Sequence, residues 1–199
     1  MTQPLIIIDS VTRQFAKTPD LAAKLANRLG AHFEPQVVHA VDSVSLEIGE
    51  GEVVGLVGES GCGKSTLGRI VAGIDNPTSG RILYRGEDVA KASGQRARHI
   101  ALKVQMIFQD TLDSLNPRFR MGQTVREAAH FHKVVPNSEL DAHIDNVLAQ
   151  AGLDPRTKSR FAHQFSGGQR QRIGIARALA VNPELAVCDE AVASLDVSI

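Results

Sequence analysis

The chain has 199 residues, of which 43% are hydrophobic and 22% are charged, a balance typical of a globular domain and not of a disordered segment. Lysine and arginine together number 22, as do aspartate and glutamate, so the overall charge does not indicate a nucleic-acid partner. Two cysteines are too few for a disulfide framework. We therefore expect a cytoplasmic protein with reduced thiols, no membrane-spanning segment and no signal peptide.

The first part of the chain predicts β-strands on either side of an inserted segment. The apolar run Leu5–Val11 and the alternating run Val41–Ile48 each predict a strand. Between them, at residues 16–36, we expect an insertion that contains one short amphipathic helix. A third run, Glu52–Gly58, is apolar nearly throughout and predicts a strand that is covered on both faces.

A glycine-rich turn follows this third run. The sequence GESGCGKST at residues 58–66 matches the pattern G-x-x-x-x-G-K-[ST], and the residues from Lys64 to about Ala72 predict a helix. Such glycines let backbone N–H groups approach an anion, while the lysine adds a cation and the serine offers an oxygen to Mg²⁺. The alternative is a glycine-rich turn without a ligand, but the position between a strand and a helix favours phosphate binding.

The remainder of the chain alternates between strand and helix patterns. Gly80–Asp88 predicts a strand that runs into a turn, Lys103–Gln109 predicts a buried strand, and Glu184–Glu190 predicts a last buried strand. This alternation predicts an α/β fold with a mostly parallel, covered sheet. It also predicts an all-helical insertion at residues 111–165.

The helical periodicity is clearest from Thr124 to Ala151. Ser138 is the predicted N-cap of a helix that ends at Gly152. The apolar face of this helix comprises Leu140, Ile144, Val147, Leu148 and Ala151. Three histidines of this region are potential metal ligands, but their spacing favours solvated or packing roles; they are His130, His132 and His143.

The segment FSGGQRQR at residues 165–172 begins a helix in an unusual way. Ser166 and Gln169 have the spacing of a capping box. Gly167 and Gly168, however, each cost up to about 1 kcal/mol relative to alanine inside a helix. Two arginines, Arg170 and Arg172, also place positive charge where a helix prefers an anion. A γ-phosphate that approaches from outside the chain would account for these features together.

Two adjacent carboxylates end the last predicted strand, in the sequence LAVCDE. Ligands bind at the carboxyl ends of strands in open α/β sheets. Two neighbouring acids repel each other, and a bound Mg²⁺ at Asp189 and an attacking water at Glu190 would account for the pair. The alternative is a pair of solvated acids in a turn.

Four motifs in this order, GESGCGKST, FSGGQRQR, LAVCDE and SLD, resemble the nucleotide-binding subunit of ATP-binding cassette (ABC) transporters. The resemblance extends from about Val11 to the end of the chain. It implies a P-loop NTPase fold of the ABC type, with an N-terminal antiparallel β region, a mostly parallel core sheet and an inserted α-helical subdomain. Residues 1–199 would then form one ATPase domain, divided into a β region (1–50), a phosphate-loop core (51–110), a helical subdomain (111–165) and a final segment (166–199).

The resemblance also implies two groups of residues around ATP. The Walker A phosphate loop would comprise Gly58, Ser60, Gly61, Cys62, Gly63, Lys64, Ser65 and Thr66. The signature motif, Ser166, Gly167, Gly168 and Gln169, would contact the γ-phosphate of ATP held by a partner chain. In both groups the motif fixes the position of each residue.

Further roles follow from the same resemblance. Phe15 would stack on adenine, and Gln109 would be the Q-loop glutamine that touches Mg²⁺ and senses the permease. Asp189 would hold Mg²⁺ together with Ser65 and Gln109, and Glu190 would be the catalytic base. Lys64 and Gln109 are also predicted catalytic residues. The D-loop at the dimer interface would comprise Ser194, Leu195 and Asp196.

The stretch SLNPR, together with GLVGESGCGKST and LDVSI, resembles the dipeptide/oligopeptide (and nickel) importer branch of this family. This implies an ATP-hydrolysing subunit that powers the import of di- or oligopeptides. Its partners would be a second ATPase subunit and membrane-embedded permease subunits, at the inner face of the cell membrane. The alternatives are an ABC ATPase that moves no solute and a non-catalytic nucleotide-binding fragment.

Two departures from the family pattern affect these expectations. The D-loop has Ala193-Ser194-Leu195-Asp196 where the family usually has Ser-Ala-Leu-Asp. The chain also stops at Ile199, before the switch histidine of the family pattern. We therefore expect the 199-residue chain to be poorly stable and to hydrolyse ATP weakly or not at all.

Overall fold

Two compact units make up the chain in the computed structural model, which describes residues 3–16, 37–108 and 115–189. The first unit is Met1–Ala92 and the second is Ser93–Ile199. The helix expected in the 16–36 insertion and the D-loop lie outside the described residues.

The first unit is built on a four-stranded antiparallel sheet with the order β2-β1-β3-β4. Its strands are β1 (Ile6–Ala16), β2 (Val37–Ile48), β3 (Ser79–Tyr84) and β4 (Glu87–Asp88). The strands predicted at residues 5–11 and 41–48 are confirmed, and both are longer than the sequence indicated. The strand predicted at residues 80–88 is a hairpin of β3 and β4, and a short 3₁₀ helix, Val89–Lys91, follows it.

One face of this sheet and one helix form the core of the first unit. Ile6 and Ile8 of β1 are buried, as the alternation of a half-covered strand requires. Val11 is buried as well, because the register shifts between Ile8 and Val11. Helix α1 (Lys64–Val71) lies where the sequence predicted it, and it contacts β2. Its apolar stripe of Leu67, Ile70 and Val71 is buried.

The strand predicted at residues 52–58 is wrong in this structure. The segment has no regular secondary structure. Val53 and Val57 are 97% and 94% exposed. Among the described residues, none of the backbone N–H groups of residues 53–58 donates to a backbone carbonyl. An apolar sequence indicates a preference for burial, but a strand also needs a hydrogen-bonding neighbour, and the first sheet does not provide one here.

The second unit contains one parallel pair of strands and four α-helices among its described residues. Strand β5 pairs with β6 in register from Val104↔Leu185 to Ile107↔Cys188. The elements are α2 (Gly94–Lys103), β5 (Val104–Ile107), α3 (Met121–Phe131), α4 (Leu140–Gln150), α5 (Gly167–Leu179) and β6 (Leu185–Cys188). Two 3₁₀ helices, Pro155–Ser159 and Ala162–Gln164, precede α5.

Both strands of this pair were predicted, but the expected burial of β6 is wrong. Ala186 and Cys188 are exposed, so the strand alternates between exposed and half-buried positions. A run of apolar residues cannot distinguish a fully covered strand from a half-covered one when its neighbours are unknown. Because the described residues contain a single parallel pair, a mostly parallel core sheet stays a prediction.

The helices of the second unit pack around a shared apolar core. The predicted face of α4 is confirmed for Leu140, Ile144, Val147 and Leu148, which are all buried. Its fifth predicted member, Ala151, is the half-buried C-cap residue and packs against the same cluster. The other buried members of the cluster are Leu115, Met121, Val125, Ala129, Leu153, Phe165, Ile173, Ala176 and Ala180. No helix in the described ranges has both the length and the apolar character that a membrane span requires.

The start of α4 differs from the prediction. Glu139, and not Ser138, is the N-cap residue, and no side chain caps this helix. A turn in which Glu139 N–H donates to Pro136 O at 2.9 Å leads into the helix instead. The backbone thus provides the entry that a serine side chain was expected to provide. The predicted end is confirmed, since Gly152 adopts φ 70° after the last turn.

Gly80 in β3 offers a test of how β1 and β3 pack. A Cβ at this position would overlap Ser10 O and lie 2.6 Å from Asp9 O, and the backbone adopts φ +80°. Gly80→Ala should therefore lower the free energy of unfolding by about 2–4 kcal/mol. Gly73→Ala is the matched control because its φ is +69° and an added Cβ would lie within 4 Å of no described residue; it should cost about 1–2 kcal/mol. Urea denaturation of the two variants measures the difference, and equal losses would contradict the packing described.

Candidate functional site

The glycine-rich loop is held against β2 by Gly63. This residue is the N-cap of α1, with φ 98°. A Cβ there would overlap the backbone carbonyl oxygen of Ala40, and it would lie 3.6 Å from Val41 Cγ2. Only glycine satisfies both the conformation and the close approach. No side chain caps α1 and its first turn contains no acidic residue, so the helix presents a positive end to an incoming anion.

Lys64 folds back over the loop that precedes it. Its Nζ donates to Gly58 O at 2.8 Å and to Glu59 O at 2.6 Å, and it lies 3.7 Å from Cys62 Sγ. The ammonium group is thus bound by neutral carbonyl oxygens, which a phosphate oxygen could replace with a charge-assisted hydrogen bond. The lysine needs no large rearrangement to reach a ligand in the loop.

The other phosphate-loop residues lie in the same unit as Lys64. Ser60 and Gly61 are exposed in the turn, and Cys62 places its sulfur against Gly58, where an added Cβ would be 2.7 Å from Sγ. Ser65 and Thr66 occupy the first turn of α1. The structure therefore brings all eight predicted phosphate-loop residues together at the start of this helix.

The pairing of β1 with β2 also places Phe15 near this loop. Val41 pairs with Arg13, and Val38 pairs with Phe15. At about 3.3 Å per residue, Phe15 lies roughly 7–10 Å along the ribbon from the contact between Gly63 and β2. The ring is 43% exposed. An exposed aromatic at this distance from a phosphate loop is suited to stacking against a base.

Arg13 is a residue of this region that the sequence analysis did not identify. Its guanidinium carbon lies 4.7 Å from the Phe15 ring centroid. Its Nη1 donates to Asn76 O at 2.8 Å. Arg13 and Phe15 are two residues apart on a strand, and this spacing places both side chains on one face. The sequence pattern therefore contained a signal for this contact.

The start of α5 forms the capping box that the sequence predicted. Gln169 N donates to Ser166 Oγ at 3.3 Å, and Ser166 N donates to Gln169 Oε1 at 3.0 Å. This arrangement leaves the N–H groups of Gly167 and Gly168 for another acceptor. A Cβ on either glycine would meet no atom of the described residues within 4 Å. That part of the chain therefore gives no steric reason for glycine at these two positions.

The two arginines that follow differ in their surroundings. Arg172 Nη1 donates to Gly152 O at 3.1 Å, at the end of α4. Arg172 is therefore bound to a helix end, and not simply a source of positive charge at the start of α5. Arg170 has a buried Nε with no hydrogen-bond partner among the described atoms.

The predicted acidic strand end is described in part. Asp189 directly follows β6, and its N–H donates to Ile107 O at 3.0 Å. The carboxyl ends of β5 and β6 are thus side by side in the second unit. Gln109 and Glu190, the predicted Q-loop residue and catalytic base, lie outside the described residues.

In the described part of the chain, no group of three or more potential metal ligands occurs. The Nε2 of His143 lies 2.9 Å from Ala180 O, which is a packing role at the end of α5. Cys62 and Cys188 are free thiols in this structure.

Comparison with known proteins agrees with the motifs. Residues 41–193 match the family model of the ABC transporter. Over 81% of its own length, this chain is 48% identical to the oligopeptide transport ATP-binding protein AppF of Bacillus subtilis. Over 83% of its own length, it is 43% identical to the oligopeptide transport ATP-binding protein OppF of Salmonella typhimurium. The chain spans about half the length of the curated relatives it matches, 50% in both of these cases.

Solved structures agree on the fold. CbiO1 of Clostridium perfringens, part of the ABC transporter complex cbiONQ, is 26% identical with a TM-score of 0.74, over 98% of this chain and 68% of that one. The dimeric bacterial ABC transporter cassette MJ0796 is 27% identical with a TM-score of 0.76, over 96% and 76% of the two chains. The family match, the relatives and the fold together show that this chain belongs to the ABC transporter family and has the P-loop fold of its ATP-binding cassettes.

Proposed function

We propose that this chain is the ATP-binding and ATP-hydrolysing subunit of an ABC importer of di- or oligopeptides. The observation that carries the proposal is the phosphate loop, in which Gly63 is fixed against β2 and Lys64 spans the turn before an uncapped helix. The names of the curated relatives, which are oligopeptide transport ATP-binding proteins, support the solute class. The same names favour a role in transport over that of a cassette ATPase that moves no solute.

The phosphates of ATP would be bound in the first unit. Backbone N–H groups of the loop and of the first turn of α1 would donate to phosphate oxygens, and Lys64 would exchange its two carbonyl partners for them. Phe15 would stack on adenine from its exposed position on β1. The pairing of β1 with β2, which places Phe15 near the phosphate loop, supports these assignments.

Mg²⁺ fits the oxygen donors that this chain offers. The Ser65 hydroxyl, the Asp189 carboxylate and the Gln109 side-chain oxygen are hard ligands of the kind it binds, and phosphate oxygens would complete the site. When bound, the ion neutralises negative charge on the transferring phosphoryl group. Glu190, the residue after Asp189, would accept a proton from the attacking water. Gln109 would help to orient that water, and it follows Ile107, the hydrogen-bond partner of Asp189, by two residues.

The signature residues would act on a nucleotide held by a second subunit. The Gly167 and Gly168 N–H groups have no acceptor in the capping box, and no described residue would contact a Cβ on either glycine. A terminal phosphate brought by a partner would supply the missing acceptor. Two cassettes would then enclose ATP head to tail, as separate copies of one subunit or as two related ones. The cassette MJ0796, which has been solved as a dimer, offers a precedent.

The finer architecture follows the same proposal. Residues 1–199 would form one cassette domain with the four subdivisions inferred from the sequence, and its core sheet would be mostly parallel. The β5–β6 pair supports this arrangement. Its partners would be the second ATPase subunit and membrane-embedded permease subunits, at the inner face of the membrane, and no nucleic acid. The neutral overall charge supports that last point.

Replacement of Lys64 tests nucleotide binding. Lys64→Ala removes charge-assisted hydrogen bonds to phosphate, so the Kd for MgATP should rise by about 10- to 100-fold. Lys91→Ala is the matched control, since this lysine pairs with Asp88 at 3.3 Å on the exposed surface of the same unit. Isothermal titration of both variants gives the affinities. Unchanged binding by Lys64→Ala would contradict the proposed site.

ATP-dependent pairing tests the role of the signature helix. Glu190→Gln removes the base but keeps the side-chain size, and this variant should bind MgATP and form dimers. Adding Gly168→Asp places a negative charge where the terminal phosphate would lie, so dimers should disappear while ATP binding by the monomer is unchanged. Sedimentation velocity with and without MgATP measures both effects.

The control for the signature variant adds the same acid to another helix start. Gln95 is exposed in the first turn of α2, so Gln95→Asp in the Glu190→Gln background should leave the dimers intact. If Glu190→Gln stays monomeric with MgATP although it binds the nucleotide, the head-to-tail arrangement is wrong.

A further inference from the structure

Arg13 has a second contact, with the segment that follows α1. Its Nη1 donates to Asn76 O at 2.8 Å. Asp75, the neighbouring residue, forms a 2.7 Å ion pair with Arg69 of α1. That hydrogen bond, together with the positive charges of Arg69 and Arg13, lowers the pKa of Asp75, so its carboxylate is ionised at neutral pH. Arg13 therefore contacts the residue next to the Arg69–Asp75 ion pair.

Other backbone contacts keep this segment in register with β1. Thr78 N donates to Thr12 O at 2.8 Å, and Gln14 N donates to Thr78 Oγ1 at 3.0 Å. The residues just after α1 therefore run beside β1 at the level of Arg13. Because α1 begins at the phosphate loop, Arg13 connects the strand of Phe15 to the far end of the phosphate-loop helix.

One hydrogen-bond donor of Arg13 is not satisfied in this position. Its Nε is buried and has no partner among the described atoms. A buried donor without a partner is unfavourable, so the hydrogen bond to Asn76 O and the contact with Phe15 must offset its cost. In the contact with Phe15, the guanidinium carbon lies 4.7 Å from the ring centroid.

We propose that Arg13 is a positioning residue for the nucleotide base: it packs on one face of the Phe15 ring and so presents the opposite face to adenine. The inference rests on the proposed nucleotide binding and goes beyond it. Phe15 lies next to Ala16, the last residue of β1, and it is 43% exposed. A ring at the end of a strand loses rotamer freedom when a base stacks on it, and Arg13 removes that freedom in advance.

The arrangement predicts a base-specific effect of Arg13. Immobilising one side chain accounts for about a two- to ten-fold change in affinity. Arg13→Gln should therefore raise the Kd for MgATP by about three- to ten-fold, within that range, while the Kd for Mg-tripolyphosphate stays unchanged. In the Phe15→Ala background, Arg13→Gln should have no further effect, because the ring that it positions is gone.

Two further variants separate positioning from folding. Arg13→Lys keeps the positive charge but lacks the flat guanidinium group, so its affinity for MgATP should lie between the wild type and Arg13→Gln. Arg85→Gln is the matched control, since Arg85 lies 6.0 Å from the Tyr84 ring in the same unit, and it should not change ATP affinity. Titration calorimetry with MgATP and with Mg-tripolyphosphate gives the affinities of each variant, and thermal unfolding shows whether the variant is folded.

The outcomes distinguish this inference from the proposed function. If the wild-type chain binds neither MgATP nor Mg-tripolyphosphate, the proposed function fails and the inference with it. If it binds MgATP and Arg13→Gln binds equally well or more tightly, only the role of Arg13 is overturned. Equal losses for both ligands, or an additive effect in the Phe15→Ala background, would also overturn it, because each indicates a general structural role.

Discussion

The approach of Gly63 to the carbonyl of Ala40 determines where every other part of the first unit lies relative to the phosphate loop. Because no Cβ intervenes, β2 can lie directly against the start of α1. The register of β2 with β1 then sets the position of Phe15, and the end of α1 meets Arg13 through Asn76. A single close backbone approach thus links the elements proposed to bind the two ends of a nucleotide.

The sequence predicted those features that depend on neighbours in the chain. The capping box of Ser166 and Gln169, the buried face of α4 and the helix after Lys64 all arise from local spacing, and the structure confirms them. Residues 52–58 were predicted wrongly because strand formation depends on a distant partner. The prediction that Ser138 caps α4 was wrong because a backbone turn at Pro136 leads into the helix instead. The contact between Arg13 and Phe15 depends on two side-chain conformations, which spacing permits but does not fix.

The two proposed phosphate-binding helix starts solve the same problem differently. Helix α1 has no side-chain cap, and its own lysine covers the loop before it. Helix α5 is capped by its own residues, but the capping box provides no acceptor for the N–H groups of its two glycines. The first arrangement suits a ligand that enters the loop, and the second suits a phosphate that arrives from a facing surface. This difference fits one site that holds ATP and another that contacts it.

The exposed segment before the phosphate loop has a consequence for the mechanics of nucleotide entry. The loop is joined to the sheet at Gly63, its carboxyl-terminal end, whereas residues 53–58 make no backbone hydrogen bonds as donors among the described residues. Segments with few such bonds and little burial open at low free-energy cost. On its amino-terminal side the loop is held by the hydrogen bonds from Lys64 Nζ to Gly58 O and Glu59 O. A phosphate that takes over Lys64 would release that side, while Gly63 keeps the other end of the loop against β2.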